Sequence, residues 1–307
     1  MGRMTLDDQL PRWRRLRRRF WFRVAQGVLA GLSVLPEAGG RWLCQTLARL
    51  GPVLRPGDRC RARDNLKRVF PDWSEAQVEA LLKQSIHALG DNLHTALTAE
   101  RQASRGFPSV VEEPGPDGRG LRAVLDELLA DGQGVLLVTA HLGCWELLGA
   151  WLAGHLDRPA VITGTIRNPA VDRLLQDRRR ALGVEPLARE AGARPILRAL
   201  DRGAAVGVLL DQNTRVASAP LPFLGWPAPT PLGPARIAIH RDTPLVPAVM
   251  VREQGVWVAR YREPIRPRPD EDALSLTARC NEALSELVLR NPAQWVWFHD
   301  RWNDAAQ

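Results

Sequence analysis

The stretch Gly134-Val135-Leu136-Leu137-Val138-Thr139-Ala140-His141-Leu142-Gly143-Cys144-Trp145-Glu146 decides how this chain is read. Its first half is a short, β-branched apolar run behind a glycine, the pattern of a strand buried on both faces of a parallel sheet. From Trp145 the apolar residues recur at helical spacing. His141 therefore stands where a buried strand ends, and Glu146 falls in the first turn of the next helix. In open α/β sheets, the crevice beyond the carboxyl ends of the strands is where ligands bind. An imidazole, with an unperturbed pKa of about 6.5, can take a proton from a hydroxyl if another group holds its second nitrogen. A carboxylate one loop away can do that holding. No serine stands beside the histidine, so the nucleophile implied is the substrate's own hydroxyl, and the amides at the helix start could receive an oxyanion or a phosphate. Two other readings fit the same residues. His141 can be a hydrogen-bonded structural residue with Glu146 favoured only by the helix dipole, and Cys144 can be a thiol nucleophile.

Working outward, the 307 residues carry a net charge of +8, and the cations are almost all arginine, with only Lys67 and Lys83 as lysines. Arg12, Arg14, Arg15, Arg17, Arg18, Arg19 and Arg23 crowd a segment that runs through Phe20-Trp21-Phe22 into an apolar stretch over 24–35. That stretch is shorter than the roughly 20 residues of a spanning helix. The pattern predicts a basic amphipathic helix on an anionic membrane surface, with a marginal single span as the alternative. No recognisable nucleic-acid module accompanies the charge. Cys44, Cys60, Cys144 and Cys280 form no CxxC pair and no spacing with histidine that would hold a metal, as expected of reduced thiols in a cytoplasmic compartment.

Residues 37–106 read as helical. Ser74-Glu75-Ala76-Gln77 is a capping box opening a helix through Val78, Leu81, Leu82, Ile86 and Leu89, and a basic helix over 59–70 precedes it. The stretch 107–118, with Pro108, Pro114, Gly115 and Pro116, reads as a loop and marks the start of an α/β domain over 107–307. Beyond it, helices and strands alternate, which argues a mainly parallel central sheet flanked by helices. Later clusters fall at strand exits. Arg167 lies in Thr165-Ile166-Arg167-Asn168-Pro169, where a guanidinium could clamp a phosphate or carboxylate. Asp211 leads Asp211-Gln212-Asn213, emerging from a buried strand as His141 does. Arg236 begins a helix after a rigid apolar loop over 222–227.

With these residues on the page, the sequence resembles the bacterial lipid A late acyltransferases, a branch of the lysophospholipid acyltransferase superfamily. The resemblance covers nearly the whole chain from about Phe20. It rests on His141-x4-Glu146, on Arg167-Asn168-Pro169, on Asp211-Gln212, on Asn65-Leu66 before Phe70-Pro71, and on the ending Pro292-Ala293-Gln294-Trp295-Val296-Trp297-Phe298-His299-Asp300-Arg301-Trp302. It implies a glycerolipid acyltransferase-like α/β fold behind a membrane-anchoring helix over 1–36, at the cytoplasmic face of the inner membrane. The implied reaction moves a fatty acyl chain from acyl carrier protein to a hydroxyl of a lipid A precursor, with no metal or organic cofactor and no nucleic-acid partner. His141 would be the general base and Glu146 would orient it. Arg167 would bind substrate near the donor thioester or an acceptor phosphate, Asp211 matches a functional acidic position, and Arg236 is a candidate for phosphate. Trp145, Trp151, Phe223 and Trp226 are candidates for the walls of an acyl slot. Asp300 stands where the family commonly has a basic residue and Asn213 where an acidic one is frequent. Both departures bear on the acceptor, for which a lysophospholipid or another hydroxylated lipid is the alternative.

Overall fold

The computed structural model describes residues 35–302 except 108, 109, 167 and 215, together with isolated positions between 13 and 31. The predicted amphipathic N-terminal helix lies largely outside the described residues. No helix among the described residues is long and apolar enough to cross a membrane.

Over the described residues from 35 onward, four helices come first: α1 (Glu37–Leu54), α2 (Pro56–Val69), α3 (Glu75–Leu97) and the short α4 (Ala99–Ala103). The capping box at the start of α3 is formed on both sides. Gln77 N donates to Ser74 Oγ at 3.4 Å, and Ser74 N donates to Gln77 Oε1 at 2.8 Å. There follow β1 (Val110–Glu112), α5 (Leu121–Leu129), β2 (Val135–Thr139), α6 (Trp145–Ala153), β3 (Ala160–Thr163), α7 (Pro169–Ala181), β4 (Glu185–Ala188) and α8 (Ala193–Asp201). The chain ends with β5 (Ala205–Leu209), β6 (Ser218–Phe223), β7 (Trp226–Pro231), α9 (Gly233–Arg241), β8 (Leu245–Glu253), β9 (Val256–Tyr261) and α10 (Ala273–Arg290).

Seven strands form one sheet in the order β1-β9-β8-β2-β5-β3-β4, parallel at every junction except the β8–β9 hairpin. All five residues of β2 are buried, as its unbroken apolar run requires. Leu136 and Val138 face one core with Ala235 and Ala238 of α9 and Leu276, Leu284 and Leu287 of α10. Val135 and Leu137 face the other, with Leu147, Leu148 and Trp151 of α6 and Leu121 and Leu125 of α5. Burying each such side chain contributes about 1.5–3 kcal/mol, so the alternation fixes the register of β2 and commits helices to both faces. Ala62, Leu66, Val78 and Leu82 of α2 and α3 belong to the first of these cores.

Strand order then locates a crevice. From β2 the chain crosses by α6 on one face to β3, which lies two strands away. From β5, inserted between them, it leaves by α9 on the opposite face to β8. The carboxyl ends of β2 and β5 thus lie at a topological switch point, where departing connections leave a gap. His141 follows β2 and Asp211 follows β5.

After α10 the chain turns at Pro292–Gln294 and runs back over that end of the sheet. Val296 N donates to His141 O at 3.1 Å, and Gly143 N donates to Gln294 O at 3.0 Å. Asn65 of α2 donates through Nδ2 to the carbonyls of Trp297 and His299, both at 2.8 Å. The tail is thereby held from two sides.

The predicted elements on either side of His141 are present, and three segments not assigned as strands are strands. β1 lies inside the stretch read as a loop. Parallel pairing with β9 supplies the order that its three residues cannot supply alone. β4 is a short edge strand containing Pro186, a residue that argues against a strand when read locally. The rigid loop over 222–227 is the tip of the β6–β7 hairpin. Its register sets Pro222 opposite Pro227 and Pro220 opposite Pro229. Alternate pairs of an antiparallel ladder exchange no N–H···O bonds, so prolines at those positions cost the ladder nothing. Leu224 and Gly225, both at positive φ, make the turn.

One glycine is dictated by this packing. Gly143 has φ +61°, and a Cβ there would meet Met250 O at 1.9 Å, where Cys144 N donates to the same carbonyl at 2.8 Å. Gly143→Ala is expected to destabilise the protein by at least about 2 kcal/mol, through left-handed strain and the clash with β8. Urea unfolding of the two forms in detergent would measure this, and equal stability would contradict the close approach.

Candidate functional site

At the switch point a buried carboxylate gathers three donors. Asp211 is 1% exposed. Its Oδ2 accepts the backbone N–H of His141 at 2.7 Å and the indole N–H of Trp295 at 2.8 Å. Its Oδ1 lies 2.8 Å from His141 Nδ1. The backbone and indole partners can only donate, and an ionised carboxylate can only accept, so the imidazole completes the set by carrying its proton on Nδ1. The lone pair is left on Nε2, where a substrate proton could be received. Burial pushes the Asp211 carboxyl up. The charge of His141 and the hydrogen bonds from His141 and Trp295 outweigh that and hold it below the usual carboxylate range.

Glu146, the partner expected for His141, is engaged elsewhere. Its Oε2 accepts Arg179 Nε at 3.0 Å, and its Oε1 accepts a second guanidinium nitrogen of the same arginine. Both side chains are mostly shielded from solvent, so the bidentate pair holds its geometry better than a surface pair would. The two-point grip fixes the Arg179 guanidinium in the wall of a cavity.

That cavity has a volume of about 600 Å³ and runs from His141, Trp145 and Glu146 between α6, β3 and β5. Its inner wall is apolar, with Leu148 and Leu152 of α6, Ile162 of β3, and Leu182 and Val184 beyond α7. Two exposed cations, Arg189 and Arg236, also line it. Arg236 therefore lies in the wall that holds His141, whereas Arg167 lies outside the described residues. Of the four aromatics considered for an acyl slot, Trp145 alone lines the cavity, its ring edge-on to His141 with centroids 4.8 Å apart. Trp151 and Phe223 are core residues, and Trp226 is half-exposed on the hairpin, donating to Arg68 O at 2.9 Å.

Cys144 is buried with its Sγ 3.7 Å from Asn92 O, and burial pushes its thiol up to about 12. At neutral pH it is a thiol and not a thiolate, which argues against the nucleophile reading. Among the described residues no group of histidine, cysteine and acidic side chains is arranged to hold a metal.

Two residues of the site escaped the sequence reading. Trp295 was visible only as part of an aromatic ending, and its contact with Asp211 spans 84 positions. Arg179 was hidden in the run Arg178-Arg179-Arg180 on α7, where spacing alone does not tell the arginine at the cavity from Arg178, which is equally shielded and donates to Leu97 O at 2.7 Å, or from the exposed Arg180. The tail is further anchored by Arg301, fully buried over the Phe223 ring at 4.8 Å and donating to Thr230 Oγ1 at 2.7 Å. Burial pulls its guanidinium down to about 10.

Comparison with known proteins identifies the family. The family model for bacterial lipid A biosynthesis acyltransferase matches residues 9–304. The chain is 24% identical over 279 residues to the phosphatidylinositol mannoside acyltransferase of Mycobacterium tuberculosis (strain CDC 1551 / Oshkosh), covering 88% of this chain and 85% of that protein. It is 24% identical over 288 residues to the lipid A biosynthesis myristoyltransferase of Escherichia coli K12, covering 90% and 84%. It is 26% identical over 267 residues to the lipid A biosynthesis palmitoleoyltransferase of the same strain, covering 84% of each. The match across almost the entire chain places it in the bacterial lipid A biosynthesis acyltransferase family, and the protein is an acyltransferase.

Proposed function

We propose that this acyltransferase moves a fatty acyl chain from the thioester of acyl carrier protein to a hydroxyl of a lipid A precursor at the cytoplasmic face of the inner membrane, with His141 as general base. The observation that carries the reading is the Asp211–His141 pair beside a largely apolar cavity. His141 Nε2 takes the hydroxyl proton as the oxygen attacks the thioester carbonyl. The tetrahedral intermediate collapses with release of the carrier thiolate, which recovers the proton from His141. Asp211 fixes the tautomer and stabilises the imidazolium formed between the two transfers. Glu146 holds Arg179 in the wall of the cavity that His141 also lines, and the fixed charge of Arg179 is assigned to stabilising the oxyanion that develops there. Arg167 and Arg236 are assigned to substrate binding, Arg236 supported by its place in the cavity wall. The apolar wall receives the acyl chain, and residues 1–36 serve as the membrane anchor of a catalytic domain over 107–307.

A second acceptor class, a phosphate-bearing lipid with a different sugar headgroup, is favoured by the relative named phosphatidylinositol mannoside acyltransferase. The chemistry at His141 is the same for both.

Membranes containing the wild type, supplied with acyl carrier protein thioesters and an under-acylated lipid A precursor, are expected to give a product heavier by one acyl chain. His141→Ala is expected to lower that rate by about 10²–10⁴-fold. Absence of product with lipid A precursors and formation with a glycosylated phospholipid would move the assignment to the second class. Asp211→Asn keeps the shape of the site and removes the acceptor that sets the tautomer, so its rate is expected to fall on the order of 10²–10⁴-fold. Full activity in this variant would sink the dyad. Cys144→Ala is expected to retain most activity, and an acyl-Cys144 thioester trapped by mass spectrometry would contradict direct transfer.

A further inference from the structure

A second cavity of about 590 Å³ lies apart from the catalytic one, between α1, α3 and the β8–β9 hairpin. Three permanent cations from three elements line it: Arg41 of α1, Lys83 of α3 and Arg252 of β8. Its one lining carboxylate, Asp91, is already engaged, accepting Arg252 Nη1 at 2.9 Å and Gln45 Nε2 at 2.8 Å. Arg41 also meets the exposed Glu37 at 3.1 Å. Lys83 has no carboxylate partner among the described residues and is exposed. The groove thus keeps an excess of positive charge, with Gln84, Asn92 and Gln294 as polar neighbours.

The surface beside it is apolar where a helix normally turns polar residues to water. Cys44 and Ala48 bury one side of α1, yet the opposite side carries Trp42, Leu50, Val53 and Leu54. Trp42 is 64% exposed and both Val53 and Leu54 are 70% exposed. Trp42 directly follows Arg41 on the same helix, so α1 carries both a wall of the groove and the apolar stripe. A helix with an exposed aromatic and aliphatic stripe next to cations matches an anionic lipid surface, apolar residues at the acyl boundary and cations at the phosphates.

We propose that this groove binds the phosphate headgroup of an anionic glycerophospholipid of the membrane, while the outer face of α1 rests in the interface. The source of the lipid follows from the membrane location proposed above, and the headgroup chemistry follows from the groove itself. The groove backs onto the C-terminal tail near the catalytic end. Gln294 accepts Arg252 N at 2.8 Å and donates to Arg252 O at 2.9 Å, and its neighbour Trp295 donates to Asp211.

The full chain in phospholipid-free maltoside micelles can be titrated calorimetrically with dihexanoylphosphatidylglycerol below its micelle concentration. Dihexanoylphosphatidylcholine and inorganic phosphate serve as the other two arms. Saturable binding of one phosphatidylglycerol per chain is expected, weakened about fivefold by Lys83→Ala and further by Lys83→Glu. Arg236→Ala, in the other cavity, is expected to leave it unchanged. The proposal is overturned if Lys83→Glu binds as the wild type does, if phosphatidylcholine binds equally, or if inorganic phosphate binds as tightly. It is equally overturned if Arg236→Ala abolishes binding, since the lipid then occupies the catalytic cavity. Acyl transfer measured in the same micelles with Lys83→Glu is expected to proceed. Loss of transfer in the wild type would count against the catalytic reading without touching the headgroup site.

Discussion

A single buried, ionised carboxylate governs the catalytic end of this protein. Taking Asp211 out of solvent is costly unless its charge is met by hydrogen bonds, and here three donors from two distant parts of the chain meet it. Each donor is thereby fixed in turn. The loop after β2 is tied at the His141 amide, the imidazole is held in one orientation, and Trp295 is locked over the switch point. The arrangement converts a folding requirement into a catalytic geometry, because the buried charge is satisfied only when His141 carries its proton on the inner nitrogen.

The C-terminal tail is the second half of that constraint. It reaches Asp211 because Asn65 on α2, Arg301 under the β6–β7 hairpin and the His141 and Gly143 backbone each hold one point of it. This explains physically why Asn65-Leu66 and the aromatic ending occur together in one chain. The helical N-terminal part and the α/β part also share one core, so the helices brace the tail instead of standing apart from it.

How much of this could be read from the residues depended on range. The central strand, the helix behind it and the exit of Asp211 from a buried strand were legible, since each is written in consecutive residues with a strong period. β1, β4 and the proline-rich hairpin were not, because their order comes from partners remote in sequence. At the site, the His-x4-Glu spacing pointed to a pair that the fold does not make. Five positions from strand end to helical turn bring Glu146 to the cavity wall, where Arg179 meets it, while the group at His141 Nδ1 arrives from 70 positions away. The identity of that partner is a property of strand order: β5 lies beside β2 although two other strands intervene in sequence. Exposure of the α1 face was equally illegible, because Trp42, Leu50, Val53 and Leu54 are residue types that a buried helix face also carries.

The position of the His141 proton is the central point to measure. Nitrogen-15 NMR of histidine-labelled protein in micelles, with the His141 signals assigned by loss in His141→Gln, reports directly which ring nitrogen carries the proton at neutral pH. Of the two neutral tautomers, the Asp211 contact predicts the one with Nδ1 protonated and Nε2 bearing the lone pair. A signal showing Nε2 protonated and Nδ1 bare would contradict the carboxylate-held base, whatever the substrate proves to be.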